Sequence, residues 1–146
     1  MAVEYDALRE FQVDLERGGP EVERLCKAIV RKAGFDTVAV AQQLAPVDTG
    51  HLKNSIGVDF DPDGLGFDAG PTANYGAAVE YGTRPHVIKP KKAKALHWVD
   101  ENGDDVFARR VNHPGTAPRP YMRPAFERAA DQAERAIEQV VDRFLA

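Results

Sequence analysis

The stretch LAPVDTGHLKNSI contains the tripeptide Asp48-Thr49-Gly50, a sequence that also carries the catalytic aspartate of aspartic proteases. Such a protease needs two carboxylates that share one proton, so a chain of 146 residues could supply the pair only as a homodimer. In proteases the tripeptide follows an apolar strand, whereas here Ala45-Pro46-Val47 ends a predicted helix. Asp48 or Thr49 would cap a new helical turn, and Gly50 would relax the backbone. The tripeptide is therefore predicted to be a structural pivot and not a catalyst.

A second acidic run, residues 59–64, matches the first six positions of a calcium-binding EF-hand loop. The match fails at position twelve, where a bidentate glutamate is needed and the sequence has Gly70. The flanking residues also alternate between apolar and polar, as strands do. A solvent-exposed hairpin tip is therefore predicted, with weak calcium binding as the remaining alternative.

Residue types that act as nucleophiles or zinc ligands are sparse. Ser55 is the only serine and lies outside a Gly-x-Ser-x-Gly setting, while Cys26, the only cysteine, falls on the apolar face of a predicted helix. The histidines include no pair at spacing i,i+3 or i,i+4; they are His51, His86, His97 and His113. We therefore expect no catalytic residue, no metal site and no cofactor.

Charge is unevenly distributed along the chain, whose formal net charge is -4. Between Arg84 and Arg128 there are ten lysines or arginines and five acidic residues, so the rest of the chain is strongly acidic. The run Lys89-Pro90-Lys91-Lys92-Ala93-Lys94 could neutralise phosphates of a nucleic acid, although it lacks the interleaved aromatic residues that stack on bases. Opposite charges within one chain also suit head-to-tail contact between copies of the protein.

Composition limits the class of protein. A hydrophobic content of 43% and a charged content of 29% indicate one ordinary globular domain. A single cysteine allows no internal disulfide and favours a reducing cytoplasm. The first eighteen residues lack the basic start of a signal peptide, and the chain has no apolar run long enough for a membrane helix. We therefore expect a soluble, unprocessed chain without a membrane partner.

Hydrophobic periodicity predicts a long helix near each end of the chain. Residues 1–20 would form an arm or short helix that stops at Gly18-Gly19-Pro20, and residues 21–146 a single domain. The first long helix would run from Glu21 to a stop before Pro46, and Pro124 suits the first turn of the last helix. The predicted inward-facing residues of the two helices are Val22, Cys26, Ile29, Ala33, Thr37, Val40, Leu44, Phe126, Ala130, Ala133, Ile137, Val140 and Phe144.

Short strands are predicted between these helices. They cover residues 55–60, 65–69, 86–89, 95–99 and 106–111, with a short helix over residues 75–81. The dipeptide Asn102-Gly103 predicts a hairpin between the last two strands. We therefore expect an α+β fold in a single domain, with an antiparallel sheet of hairpins packed by the long N-terminal and C-terminal helices.

Five motifs occur in a characteristic order: LAPVDTGHLKNSI, NYGAAVEYGT, KPKKAKALHW, VFARRVNHPGT and PRPYMRPAFERAA. With them the sequence resembles the tail-completion or neck protein family of long-tailed, double-stranded-DNA bacteriophages, named after gene product ten of a lambdoid phage. The resemblance covers residues 22–130. The family usually has arginine or a similar residue where His51 stands, and often phenylalanine and leucine where Tyr121 and Met122 stand.

The resemblance implies a virion protein without catalytic activity, assembled in the host cytoplasm and located where the head joins the tail. It implies a sixfold ring of copies around the DNA channel, next to head-closure, tail-terminator or tail-tube proteins. The basic surface from Arg84 to Arg128 would then meet the acidic surface of the adjacent copy. The alternative is a small DNA-binding or DNA-packaging accessory protein that uses the Lys89-Lys94 run.

Loops held on a rigid scaffold are common contact sites. We therefore expect contacts with other subunits or partners through the segment 81–85, the segment 113–116, the lysine run and Arg123. A cation at the start of a helix is disfavoured by the helix dipole, so Arg123 is expected to reach Glu80 or a neighbouring subunit. The candidate contact residues are Tyr81, Gly82, Thr83, Arg84, Lys91, Lys92, Lys94, His113 and Arg123.

Overall fold

The computed structural model describes the backbone of residues 5–144 and the side chains of residues 19–144. Helices lie at both ends of the chain and antiparallel hairpins lie between them, which confirms the predicted α+β class. In chain order the elements are α1 (Tyr5–Leu44), α2 (His51–Ser55), β1 (Ile56–Phe60), β2 (Phe67–Pro71), α3 (Gly76–Tyr81), β3 (His86–Ile88), β4 (Leu96–Val99), β5 (Asp105–Ala108), β6 (Val111–His113) and α4 (Met122–Phe144).

Helix α1 is interrupted at Gly19, whose φ of 78° and ψ of -175° are not helical. Only glycine adopts this conformation without strain, because it lacks a Cβ. Pro20 then begins the second helical segment, where its missing N–H would have had no helical partner. The break lies where the sequence predicts it, and the helix ends at Leu44, two residues before Pro46. Of the predicted arm, residues 1–4 lie outside the described residues.

The buried faces of the two long helices consist largely of small residues. On α1, Ala41 is fully buried while Leu44 is 39% exposed, and on α4, Ala125 is fully buried while Phe126 is 41% exposed. The predictions that Leu44, Phe126 and Phe144 face the core were therefore wrong, whereas Val40 is partly buried. Helices α1 and α4 pack against each other, and small side chains let their backbones approach closely. The fully buried Thr37 donates its hydroxyl to the Ala33 carbonyl at 2.7 Å.

The chain divides into two units, the first of which comprises the residues up to Gly76 and those from Pro120 onward. In it, α1 contacts α4 and both strands of the β1–β2 hairpin. The antiparallel pairs run from Ile56 with Pro71 to Phe60 with Phe67. The second strand lies two residues later than predicted. The EF-hand-like run therefore lies at a strand end and hairpin turn, where the Asp61 N–H donates to the Gly66 carbonyl at 2.9 Å.

The second unit comprises Ala77–Arg119. Strands β4 and β5 form the predicted hairpin across residues 100–104, and β3 pairs with β6. The single strand predicted over residues 106–111 was wrong, because β5 and β6 pair with different partners and are separated by Arg109 and Arg110. Within residues 5–144 the strands accordingly form three two-stranded antiparallel sheets instead of the one expected.

Candidate contact surfaces

The two loops that the sequence singles out, residues 81–85 and 113–116, lie side by side in the second unit. Thr83 and Thr116 form an antiparallel bridge: the Thr83 N–H donates to the Thr116 carbonyl at 3.0 Å, and the Thr116 N–H donates to the Thr83 carbonyl at 3.1 Å. The two hydroxyl oxygens are 3.1 Å apart. The predicted contact residues Gly82, Thr83 and His113 therefore belong to one locally connected structure.

Glycines make this bridge possible. Gly82 and Gly115 have φ values of 73° and 85°, which favour glycine. A Cβ at Gly82 would lie 2.5 Å from the Thr116 carbonyl oxygen, and one at Gly115 would lie 2.3 Å from the Thr83 carbonyl oxygen. Backbone atoms cannot move away as a flexible side chain can. Both positions therefore require glycine for conformation and for space.

A histidine pair supports the same two loops. His86 and His113 are opposite each other in the β3–β6 ladder, and their rings stack with centroids 4.9 Å apart. His86 Nδ1 lies 2.8 Å from the Arg84 carbonyl oxygen, which can only accept, so this nitrogen carries a proton. His113 Nδ1 instead accepts from the Gly115 N–H at 3.0 Å. The Nδ1 atoms of the two rings thus have opposite hydrogen-bonding roles, and each contacts the backbone of one of the two loops. Tyr81 is 77% exposed.

The β4–β5 hairpin ends in an ordered acidic loop, here called the acidic tip: Asp100, Glu101, Asp104 and Asp105. The Asp100 carboxylate accepts from the backbone N–H groups of Asn102 and Asp104, each at 2.9 Å. These bonds fix the loop and leave Glu101 and Asp104 exposed. The acidic tip therefore contains four of the five acidic residues between Arg84 and Arg128. The segment that the sequence shows as basic thus also carries a negatively charged cluster.

The lysine run forms an exposed loop between β3 and β4. Lys91, Lys92 and Lys94 are exposed, and within residues 19–144 no carboxylate forms an ion pair with them. Arg123, at the second position of α4, donates from Nε to the Glu127 carboxylate at 3.0 Å, one helical turn away. The lysine loop thus places three exposed positive charges close together in the second unit, where a partner could reach them.

The β4–β5 hairpin exposes apolar side chains on both faces, which the sequence analysis did not predict. Phe107 is 68% exposed and Trp98 is 40% exposed, and they lie on opposite faces because they belong to adjacent cross-strand pairs. His97 stacks on Phe107 with centroids 4.7 Å apart, and its Nε2 lies 2.7 Å from an Asp105 carboxylate oxygen. The Phe107 ring is therefore held in place although it is exposed.

A second apolar surface lies in the first unit and is called here the phenylalanine cluster: Phe35, Phe60, Phe67 and Phe126. Successive ring centroids are 5.4, 6.2 and 6.2 Å apart. Phe35 is 50% and Phe126 41% exposed. Each ring comes from a different element, so no local sequence pattern indicates the cluster.

Arg31 covers part of this cluster. Its guanidinium carbon lies 5.4 Å from the Phe35 ring centroid and 5.8 Å from that of Phe60, within the range of cation–π attraction. Gly34 allows the close approach, because a Cβ there would lie 2.7 Å from the Phe60 ring. The exposed surface therefore combines aromatic rings with one positive charge.

The predicted pivot forms the turn between α1 and α2. The N-cap of α2 is Gly50, with φ of 83°, and no side chain caps the helix. The prediction that Asp48 or Thr49 caps it was therefore wrong; Thr49 Oγ1 only accepts a long bond of 3.4 Å from the His51 N–H. The left-handed conformation of Gly50 reverses the chain without a side-chain cap. Leu52 in the new helical turn is buried.

Two hydroxyl groups connect the segments of the first unit. Ser55 Oγ donates to the Leu52 carbonyl at 2.8 Å and accepts from the Ala73 N–H at 3.3 Å. Tyr121 is fully buried, and its hydroxyl donates to the Gly76 carbonyl at 3.0 Å. In the sequence, Tyr121 stands out only as a departure from the family pattern, because nothing local indicates its distant partner.

The described residues give little support for catalytic chemistry. Burial raises the pKa of the Cys26 thiol, which disfavours the reactive thiolate. Among residues 19–144 no three histidine, cysteine, aspartate or glutamate side chains lie close enough together to hold a metal ion. No helix in the described part of the chain is long and apolar enough to cross a membrane.

The comparisons with known proteins gave one match. Residues 9–82 match a family model described as "Bacteriophage HK97-gp10, putative tail-component". The match spans about half of the chain, from within α1 to Gly82 beside the Thr83–Thr116 bridge, and it includes the pivot and the β1–β2 hairpin. It begins within residues 1–20, which the sequence resemblance left out. Searches of curated proteins and of solved structures returned no match.

Proposed function

The chain belongs to the HK97-gp10-like family of bacteriophage tail components, and on that premise we propose that it is a structural protein of the virion neck. In this role, copies of the chain form a sixfold ring that joins the tail to the DNA-filled head and surrounds the DNA channel. The ring assembles in the host cytoplasm and contacts head-closure, tail-terminator or tail-tube proteins. The family match over residues 9–82 is the observation that carries this proposal.

The surface of the protein supports a role in assembly. Phe35, Trp98 and Phe107 are 40–68% exposed, and large exposed apolar surfaces commonly mark sites of protein association. The acidic tip and the lysine loop supply opposite charges on one chain. Unlike surfaces that meet between identical subunits form a heterologous contact, and such a contact closes into a ring when the rotation per subunit is right.

The proposed role requires no catalytic step and no cofactor. The Ser55 hydroxyl takes part in two backbone hydrogen bonds, and Cys26 is buried with a raised thiol pKa. Neither side chain is arranged as an activated nucleophile. The protein therefore acts by binding and holding its neighbours.

Deletion of the gene from the producing phage tests this function directly. We expect infected cells to accumulate DNA-filled heads and separate tails, and we expect the purified protein to restore joining in an extract. Light scattering and negative-stain images would show whether the protein forms sixfold rings alone or only on heads or tails. Normal joined particles from the deletion phage would contradict the proposed role.

The lysine loop favours one alternative function, a DNA-binding or DNA-packaging accessory protein. Its four exposed lysines, Lys89, Lys91, Lys92 and Lys94, could contact phosphates without reading sequence. This function predicts binding of the isolated protein to random duplex DNA, with an affinity that falls steeply with salt. Loss of that binding on Lys91→Glu, Lys92→Glu and Lys94→Glu, with head–tail joining intact, would favour the alternative.

A further inference from the structure

We propose that the phenylalanine cluster of one copy binds the β4–β5 hairpin of a second copy, with the hairpin's acidic tip next to Arg31. This inference rests on the proposed ring function and identifies the two surfaces that meet.

The phenylalanine cluster offers an aromatic surface with a cation at its edge. Phe35 and Phe126 expose 50% and 41% of their areas. The neighbouring lysines on α1 form ion pairs within the helix, Lys27 with Glu23 and Lys32 with Asp36. Arg31 instead lies over the rings of Phe35 and Phe60.

Within residues 19–144 no carboxylate forms an ion pair with Arg31. An incoming acidic group would therefore find a positive charge that is already positioned. The Phe35 and Phe60 rings beside it are also already in position, which lowers the cost of ordering side chains on binding.

The β4–β5 hairpin offers complementary groups. Phe107 is 68% exposed, and its ring is held by the stacked His97, which in turn contacts Asp105. At the end of the hairpin, the Asp100 carboxylate orders the loop and leaves Glu101 and Asp104 exposed. The hairpin thus presents a fixed aromatic ring and, beyond it, carboxylates that within residues 19–144 have no basic partner.

Charge complementarity identifies a second copy of the chain as the occupant. An aromatic ring followed by carboxylates matches an aromatic surface edged by an arginine, and both surfaces belong to the same sequence. A two-stranded hairpin is only marginally stable by itself, so covering its apolar face adds stability in the assembly. Because the two surfaces differ, each copy offers one of each, and the contact can repeat around a ring.

A mixing experiment with two complementary variants tests the pairing. One variant has a damaged cluster, Arg31→Glu with Phe35→Ser, and the other has a damaged hairpin, Asp104→Lys with Phe107→Ser. Sedimentation velocity should show self-association of the unchanged chain, and each variant alone should self-associate at least about tenfold more weakly. An equimolar mixture should form a 1:1 heterodimer and nothing larger, since only one intact cluster and one intact hairpin remain to pair.

A matched control is Val47→Ser, which changes an apolar residue that is 65% exposed and lies outside both surfaces. It should leave self-association unchanged. Circular dichroism and unfolding curves would show that each variant is folded before it is mixed.

Three results would overturn the inference: undiminished self-association of either variant, a mixture without heterodimer, or an unchanged chain that stays monomeric at about 1 mM. None of them affects the head–tail joining assay, so the ring function can stand if this pairing fails. Conversely, if the two variants form the heterodimer but the deletion phage still joins heads to tails, the pairing stands and the ring function fails.

Discussion

Alanine at Gly115 should disrupt the Thr83–Thr116 bridge, whereas alanine at Gly103 should not disturb its surroundings. The two glycines have nearly the same positive φ, 85° and 87°. A Cβ at Gly115 would lie 2.3 Å from the Thr83 carbonyl oxygen, while a Cβ at Gly103 would meet nothing within 4 Å. The pair therefore separates the effect of a close backbone contact from the effect of conformation.

The expected magnitudes follow from these contacts. A left-handed conformation costs a residue with a Cβ roughly 1–2 kcal/mol, and this term applies equally to both substitutions. Gly115→Ala also removes the two backbone hydrogen bonds between Thr83 and Thr116, each contributing about 1 kcal/mol net. We expect Gly115→Ala to lower the free energy of unfolding by about 2 kcal/mol more than Gly103→Ala does.

Two assays measure this difference. Trp98 is the only tryptophan and lies on β4, so its fluorescence in urea reports on the second unit. Hydrogen exchange at the Thr83 and Thr116 amides should become faster in Gly115→Ala and stay unchanged in Gly103→Ala. Equal destabilisation by the two substitutions, or unchanged exchange at both amides, would refute the assigned role of Gly115.

Three further predictions concern other parts of the chain. Tyr121→Phe removes the donor to the buried Gly76 carbonyl and should lower the free energy of unfolding by about 1–2 kcal/mol in urea titrations, while Tyr75→Phe at an exposed site should change it by less than about 0.5 kcal/mol. The Cys26 thiol should react slowly with Ellman's reagent until urea unfolds the protein. Because burial raises its folded pKa above the unfolded value, stability should fall as pH rises above the unfolded pKa, and more in the natural chain than in Cys26→Ala. Reversal of charge at Lys91, Lys92 and Lys94 to glutamate should weaken assembly and change its salt dependence, and unchanged light scattering would contradict a role for the lysine loop.

Local signals in the sequence predicted the ends of elements well. Gly19-Pro20 marks the break in α1, Pro46 follows the end of that helix, and Asn102-Gly103 lies in the β4–β5 loop. In each case the signal acts on the backbone of the same few residues. Strand pairing was less predictable, since residues 106–111 were predicted as one strand, whereas β4 pairs with β5 and β3 pairs with β6.

The faces of the long helices show a second limit of sequence reasoning. A search for large apolar residues placed Leu44 and Phe126 in the core, yet Ala41 and Ala125 are the buried residues. Close packing of two helices selects small side chains, which contribute little to a hydrophobic pattern. The displaced large residues then lie at the surface, and Phe126 became part of the phenylalanine cluster, a candidate contact surface that no linear pattern indicated.

The summed charge of the segment from Arg84 to Arg128 likewise did not show that its positive and negative residues form two separate clusters. The basic segment from Arg84 to Arg128 contains both the lysine loop, before β4, and the acidic tip, after it. Strand β4 has four residues, and at about 3.3 Å per residue it separates the two loops by about 13 Å. This distance exceeds the Debye length of about 8 Å at physiological salt, so the two clusters neutralise each other only weakly. Each is therefore available to a different neighbour, which is the arrangement that a head-to-tail assembly needs.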